Sequence, residues 1–307
     1  MTGPALLIAG HGTRDGAGQS EFSDFVDVVK GLAPGLEIGA GFIELCSPPV
    51  SVAVQQLVAR GARDIAVVPL MLLAAGHAKD DIPALIARER LAHPHVRFRY
   101  SRDLGVHPDL LAIVDERLQA AVAPEERAAT AVLLVGRGSS DPDANSDVFK
   151  IGRLIYEGRP YPAVEVCFIG ITRPSLTDGL ERCRRLGAGR IAVVPYFLFT
   201  GTLERRIAAQ SLAFARHHPE LEVRVAGYLG ADERIARLVL ERYREALDGD
   251  PRMNCDMCVH RVALPGFEHE VGKPATPHFH PDVDDHVHSH GHGHPHHHVH
   301  GAGFNHS

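Results

Sequence analysis

Residues 5–15 read ALLIAGHGTRD, and residues 131–141 read AVLLVGRGSSD. In both stretches an apolar run ends in a Gly-x-Gly turn, which is followed by polar residues and an aspartate. Adding 126 to a position continues to return a similar residue as far as residues 65–69, IAVVP, which reappear at 191–195. Solenoid repeats have periods of roughly 20–50 residues, so a period of this length indicates a duplicated domain.

Each copy alternates short apolar runs with longer amphipathic stretches. This alternation predicts right-handed βαβ units and a parallel sheet. We therefore expect an α/β protein with two tandem flavodoxin-like lobes, at 1–123 and 131–248, joined by a linker near 123–130. The predicted strands are 5–9, 38–45, 65–70 and 96–100 in the first lobe, and 132–135, 164–169, 191–198 and 222–226 in the second. The helices predicted in the first lobe lie near 19–32, 49–60, 80–92 and 108–121.

The repeat ends after Leu247, and residues 249–307 form a tail of different composition. Residues 253–258 read MNCDMC, and twelve histidines follow between His278 and Ser307. The histidine-rich part has too little apolar content to order itself, so we expect it to be disordered without metal. Such tracts bind divalent first-row metal ions with little selectivity, which favours a metal reservoir or delivery arm.

The overall composition excludes several classes of protein. The chain has 307 residues, of which 45% are hydrophobic, and a formal net charge of −6 at pH 7. These values are typical of a globular protein and argue against a nucleic-acid binder, which usually has a basic face. No stretch approaches the roughly 20 apolar residues of a membrane span, and the N-terminus lacks the features of a signal peptide. Five cysteines argue against a disulfide framework, so we expect a cytoplasmic protein.

Three side chains with metal-binding groups follow or end the predicted strands of the first lobe. His11 follows the first strand, Glu44 ends the second, and His77 follows the third. Because the carboxyl ends of parallel strands meet at one edge of a sheet, we expect these residues to converge. Two imidazoles and a carboxylate suit a divalent first-row metal ion, and the imidazoles can also act as bases near neutral pH.

The second copy provides an internal control on this interpretation. It keeps the glycines, prolines and apolar runs of the first copy but lacks all three metal-binding residues. Their counterparts, in the same order, are Arg137, Gly170 and Leu203. The pattern therefore indicates a function that is confined to the first lobe.

Three segments of the first lobe resemble the class II tetrapyrrole chelatases: GHG at 10–12, ELCSPP at 44–49 and VPLMLLAAGH at 68–77. This family includes the sirohydrochlorin cobaltochelatases and ferrochelatases of cobalamin and siroheme synthesis. The resemblance implies a two-lobed fold that binds the tetrapyrrole sirohydrochlorin between the lobes. It also implies that His11 and His77 handle the metal and that Glu44 assists. Thr13 replaces the serine common in the family but retains a hydroxyl group.

The reaction implied by the resemblance sets the chemistry that the site must perform. A free-base tetrapyrrole loses two pyrrole protons while the metal exchanges water for four ring nitrogens. We expect the two histidines to guide the ion and to accept the protons, and Glu44 to relay them or to stabilise charge. The ring carboxylates need hydrogen-bond donors, and candidates near the first helix N-terminus of each lobe are Arg14, Arg137, Ser139 and Ser140. For Arg137, an ordinary surface position is an equal alternative.

The cysteine pair of the tail, Cys255 and Cys258, leaves several interpretations open. Long cobaltochelatases of the family resemble this chain because they have both such a cysteine motif and a histidine-rich region. In the family, an iron–sulfur cluster is associated with the cysteine motif. Two thiolates cannot complete a four-thiolate cluster, so a second chain or further ligands such as His260 would be required. Zinc held by the pair and tail histidines is an alternative, and a redox pair is disfavoured because the motif does not open a helix after a strand. The remaining cysteines are expected to be small buried hydrophobic residues: Cys46, Cys167 and Cys183.

The tail features favour Co²⁺ as the inserted metal, with Fe²⁺ and Ni²⁺ as alternatives. The nearest alternative function is that of a sirohydrochlorin ferrochelatase, which would use the same three residues. A metal-storage or metallochaperone protein is a different possibility, and it predicts stoichiometric metal binding without turnover. Because one chain supplies both lobes, a monomer would be sufficient, and a homodimer remains open.

Overall fold

The computed structural model describes residues 3–248, which fold into two lobes. The first lobe contains β1 (Ala5–Gly10), α1 (Gly16–Leu32), β2 (Ile38–Phe42), α2 (Val50–Ala59), β3 (Asp64–Pro69), a π-helical turn (His77–Asp81), α3 (Ile82–Ala92), β4 (Arg97–Tyr100) and α4 (Pro108–Ala121). The second contains β5 (Thr130–Gly136), α5 (Pro142–Tyr156), β6 (Val164–Phe168), α6 (Leu176–Arg185), β7 (Arg190–Pro195), α7 (Thr202–His217), β8 (Glu222–Val225) and α8 (Glu233–Asp248). A short 3₁₀ helix, Pro124–Ala129, connects the lobes.

Each lobe has a four-stranded parallel sheet, with strand orders β2-β1-β3-β4 and β6-β5-β7-β8. Every residue of β1 and β5 is buried. Parallel strands covered on both faces read as continuous apolar runs, which explains the two stretches that define the repeat. The predicted α/β fold with two parallel-sheet lobes is confirmed. The tail, including Cys255 and Cys258, lies outside the described residues, and no helix within 3–248 is long and apolar enough to cross a membrane.

Two predicted elements of the first lobe have different bounds in the structure. The second strand was predicted to reach residue 45, but β2 ends at Phe42 and Glu44 lies in the loop that follows. The strand cannot include Leu45, whose φ of 68° is outside the extended region. The helix predicted from residue 80 begins earlier, since the π-helical turn from His77 leads directly into α3.

The two lobes exchange their last helices. Helix α4 packs against β7 and α5 of the second lobe, and α8 packs against α1, β3 and β4 of the first. Equivalent arginines anchor the exchange: Arg117 of α4 donates to the carbonyl oxygens of Tyr228 and Leu229, and Arg242 of α8 donates to those of Asp103 and Leu104. One hydrophobic cluster therefore contains residues of both lobes.

Two reciprocal ion pairs also join the carboxyl ends of the two sheets, and their exposure differs. Lys79 of the π-helical turn contacts Asp141 at 2.7 Å and Asp143 at 2.8 Å, and the lysine side chain is 1% exposed. Its counterpart in the second lobe, Arg205, pairs with Asp15 and is 54% exposed. The pair made by Lys79 of the first lobe is thus the more desolvated of the two.

We predict that Lys79→Met lowers the free energy of unfolding by about 3–5 kcal/mol, because it removes a buried cation and leaves two largely desolvated carboxylates without it. The matched change in the other half, Arg205→Met, should cost about 0–1 kcal/mol because the arginine of that pair is largely exposed to solvent. Urea denaturation of both variants measures the difference. Equal losses in the two variants would contradict this assignment of burial.

Candidate metal centre

The loops after β1 and β2 run side by side and bring two of the predicted residues together. Beyond the strand ends, the Ile43 amide donates to the Gly10 carbonyl at 2.9 Å and the Glu44 amide donates to the His11 carbonyl at 3.2 Å. This continued pairing sets Glu44 beside His11. A carboxylate oxygen of Glu44 lies 3.5 Å from Nε2 of His11.

Gly12 allows this close approach of the two loops. Its φ is +100°, and a Cβ atom placed on it would lie 1.9 Å from the carbonyl oxygen of Glu44. Both the conformation and the space therefore require glycine. On the far side of the turn, Sγ of Cys46 accepts from the Thr13 amide at 3.5 Å, so this half-buried thiol packs within the site loops. The expectation of burial holds fully for Cys167 and Cys183 but not for Cys46.

His77 approaches from the third strand of the first sheet. It begins the π-helical turn after β3 and is buried, with its ring centroid 4.3 Å from that of His11 and the rings at 86°. One potential ligand atom each from His11, Glu44 and His77 lies within 4.8 Å of the others. Within residues 3–248 this is the group of His, Cys, Asp and Glu side chains that could hold a metal ion.

Hydrogen bonds at Nδ1 fix the orientation of both imidazoles. Nδ1 of His77 lies 2.6 Å from a carboxylate oxygen of Asp81, and Nδ1 of His11 lies 3.1 Å from the Gly12 carbonyl oxygen. Because these oxygens only accept, the geometry favours protonated Nδ1 atoms and leaves the Nε2 lone pairs to face a metal ion. A carboxylate on the outer nitrogen of a ligating histidine is a frequent supporting feature of metal sites.

Asp81 is a functional candidate that the sequence analysis missed. The His-x-x-x-Asp spacing of residues 77–81 was visible, but the region was predicted to be a loop followed by a helix from residue 80. Only a helical turn that starts at His77 brings the two side chains together. The spacing could have indicated the pair if the turn had been placed earlier.

The surroundings of His77 also shift its protonation. Burial lowers the pKa of His77 below its ordinary value, the carboxylate of Asp81 opposes this shift, and the positive charge of Arg137 adds to it. A lowered pKa keeps the imidazole neutral at neutral pH, which is the form that binds a metal ion. Arg137 of the second lobe is therefore one of the charged groups that act on His77.

The residues predicted to bind ring carboxylates occupy different environments. Arg14 and Ser140 are exposed, and Arg137 is half-buried near His77. Ser139 shapes its own loop, since its hydroxyl oxygen accepts from the Asp141 amide at 3.0 Å and its amide donates to Asn145. Arg137 is thus the candidate that the structure brings near the centre, and Ser139 is engaged within the turn.

The second lobe repeats the backbone of the site without its ligands. The Ile169 and Gly170 amides donate to the carbonyls of Gly136 and Arg137, both at 3.0 Å, and a Cβ atom on Gly138 would lie 2.3 Å from the Gly170 carbonyl oxygen. The loop geometry therefore belongs to the fold. Among the described residues, only the first lobe carries candidate metal ligands on it.

Comparison with known proteins agrees with this architecture. A model of the CbiX family matches residues 5–121 and 131–246, one match in each lobe. The chain is 41% identical over 263 residues to a sirohydrochlorin cobaltochelatase of Priestia megaterium, covering 85% of each protein. It is 35% identical over 243 residues to a sirohydrochlorin ferrochelatase of Bacillus subtilis, covering 78% of this chain and 91% of the relative.

A solved structure is similar over most of its length. SirB from Bacillus subtilis with Fe³⁺ superposes with a TM-score of 0.70 at 34% identity, covering 80% of this chain and 96% of that one. The family match spans both lobes, and the curated relatives extend across them as well. On these grounds the chain belongs to the CbiX family.

Proposed function

We propose that this protein is a sirohydrochlorin cobaltochelatase, which inserts Co²⁺ into sirohydrochlorin in cobalamin synthesis. The observation that carries the proposal is the convergence of His11, Glu44 and His77 within 4.8 Å in one lobe of a CbiX-family chain. The 41% identity to a cobaltochelatase over 85% of both chains favours this reaction. The ion and the tetrapyrrole are both substrates.

The geometry suggests how the three residues divide the work. The Nε2 atoms of His11 and His77 receive the incoming ion, since their Nδ1 atoms are engaged with Gly12 and Asp81. As the ring nitrogens replace these ligands, the released imidazoles accept the two pyrrole protons. Glu44 is exposed and lies beside His11, so it can pass protons from that imidazole to solvent.

The substrate carboxylates would meet donors on the loops that follow β1 and β5. Arg137 is the principal candidate because its charge already reaches His77, and an arginine can bind a carboxylate in a bidentate manner. Arg14, Ser139 and Ser140 complete the proposed donor set. Their position at the carboxyl ends of parallel strands is the usual place for ligands in open α/β sheets.

The tail is proposed to supply metal to this site in the cytoplasm. Cys255, Cys258 and the histidines that follow are outside the described residues, so their role rests on sequence alone. A bound metal at the cysteine pair, either zinc or an iron–sulfur cluster completed by further ligands, is the proposal for that segment.

Insertion of Fe²⁺ for siroheme synthesis is a second candidate function. A ferrochelatase relative is 35% identical over 78% of this chain, and two imidazoles with one carboxylate bind either ion. Turnover with each metal in turn distinguishes the two reactions.

The double variant His11→Ala/His77→Ala should lower the rate of Co²⁺ insertion by about a hundredfold or more. The reason is that the ion loses two ligands and the pyrrole protons lose the bases that accept them. Anaerobic absorbance of sirohydrochlorin with Co²⁺ follows the reaction. Leu203→Ala, at the position of His77 in the second lobe, is the matched control and should retain turnover. Wild-type protein that binds several metal ions but gives no turnover above the uncatalysed rate would overturn the proposal in favour of metal storage.

Asp81→Asn should weaken Co²⁺ binding by about 10- to 100-fold, because the imidazole of His77 loses the carboxylate that fixes its orientation and basicity. Titration of Co²⁺ absorbance against protein without tetrapyrrole measures this affinity. Asp109→Asn is the control. It removes a carboxylate that lies 3.8 Å from Nδ1 of His107, a histidine outside the proposed site, and it should leave the Co²⁺ affinity unchanged. Unchanged affinity in Asp81→Asn would remove Asp81 from the proposed centre.

Gly12→Ala should abolish measurable Co²⁺ binding at the three residues, because the added Cβ forces the Glu44 carbonyl and its loop away from His11. Gly138→Ala introduces the same clash in the second lobe, at 2.3 Å from a carbonyl oxygen. Both variants should lose stability, but only the first should lose the metal site. Equal Co²⁺ affinities of the two variants in these titrations would refute the role given to the loop that follows β1.

A further inference from the structure

Two residues, 126 positions apart, adopt the same rare backbone conformation. Leu45 has a φ of 68° and Ile171 a φ of 57°, and within the described residues they are the non-glycine residues with positive φ. Each is the central residue of a three-residue turn: the Cys46 amide donates to the Glu44 carbonyl at 2.9 Å, and the Thr172 amide to the Gly170 carbonyl at 2.6 Å. Turns of this kind with a positive central φ are rare and strained.

The side chains at these turns are large, apolar and exposed. Leu45 is 44% exposed and Ile171 is 47% exposed. Glycine or asparagine would fit the backbone at lower cost, and a polar residue would suit the exposure better. A β-branched isoleucine is an especially unfavourable choice at positive φ. The fold alone therefore accounts for neither residue, and strain of this kind is often found at ligand sites.

One turn lies beside the proposed reaction centre, and the other occupies the equivalent position in the second lobe. Leu45 follows Glu44, which lies 3.5 Å from His11, and Ile171 follows Gly170, the counterpart of Glu44. The carboxyl ends of the two sheets are joined by the pairs that Lys79 and Arg205 make across the lobes. Each lobe thus presents one apolar side chain from the same edge of its sheet.

A tetrapyrrole has two kinds of surface that require different partners. Its flat conjugated ring is apolar, and its carboxylates are at the periphery. Arginine and serine side chains can hold the periphery, but the ring itself requires apolar contact in which water is displaced. Among the residues already assigned to the site, none supplies this contact.

We propose that Leu45 and Ile171 are the ring-binding residues, one from each lobe, and that they position the flat macrocycle of the tetrapyrrole against the metal centre. This inference rests on the proposed chelatase function. The strained turns hold both side chains in one orientation before the substrate arrives, so little freedom is lost on binding. Because Leu45 is adjacent to Glu44, contact with the leucine brings the ring nitrogens towards the ion.

The variants Leu45→Gly and Ile171→Gly test this role without damaging the fold, because glycine adopts positive φ without strain. Each should raise the Kd for metal-free sirohydrochlorin by about tenfold, as expected for the loss of one buried aliphatic side chain. Fluorescence titration measures this Kd, and the KM for sirohydrochlorin should rise with it. Ile171→Gly is the decisive variant, since it is in the lobe without metal ligands and should leave Co²⁺ affinity unchanged.

Leu186→Gly is the matched control. It removes a leucine that is 62% exposed at the end of α6, towards the amino ends of the strands and away from the site loops. Its Kd for sirohydrochlorin should equal that of the wild type. A Kd for sirohydrochlorin that equals the wild-type value in both Leu45→Gly and Ile171→Gly would overturn this inference and leave the chelatase function intact. Failure of the wild type to bind or metallate sirohydrochlorin would overturn the function itself.

Discussion

Two backbone hydrogen bonds beyond the ends of β1 and β2 hold His11 and Glu44, two of the three proposed metal ligands, side by side. They connect Ile43 to Gly10 and Glu44 to His11, and so extend the pairing of the sheet into its loops. Gly12 then lets the Glu44 carbonyl approach to a distance that any side chain would prevent. Backbone pairing therefore fixes the separation of the main chains of Glu44 and His11, so only side-chain rotation is needed to set the carboxylate against the imidazole, and this is part of what a preorganised site requires.

The same backbone arrangement in the second lobe separates what the fold provides from what the chemistry needs. The paired loops, the glycine turn and a non-glycine residue of positive φ are present in both lobes, whereas the proposed metal ligands are present in one. The second lobe nonetheless contributes to the centre. It covers the sheet of the first lobe with α8, binds Lys79 through Asp141 and Asp143, and brings the charge of Arg137 near His77. The proposed metal centre thus depends on both lobes.

Much of this architecture could be predicted from the sequence, because apolar periodicity and a long repeat directly report strands, helices and duplication. The convergence of His11 and His77 followed from their positions after parallel strands. Glu44 was assigned to the end of a strand because nothing in ELCSPP signals that a leucine adopts positive φ. Asp81 was missed because a π-helical turn has no clear sequence signature. The exchange of α4 and α8 was also invisible, since an amphipathic helix shows which face is buried but not which lobe covers it.

The most direct test of this account is a crystal structure of the full chain with Co²⁺, with cobalt located by anomalous scattering. The account predicts one cobalt ion among residues 3–248, bound within about 2.2 Å by Nε2 of His11, Nε2 of His77 and a carboxylate oxygen of Glu44. It also predicts no cobalt at Arg137, Gly170 and Leu203, where the second lobe repeats the backbone alone. Cobalt bound elsewhere in these residues, with His11, Glu44 and His77 free of metal at saturating Co²⁺, would contradict the central claim.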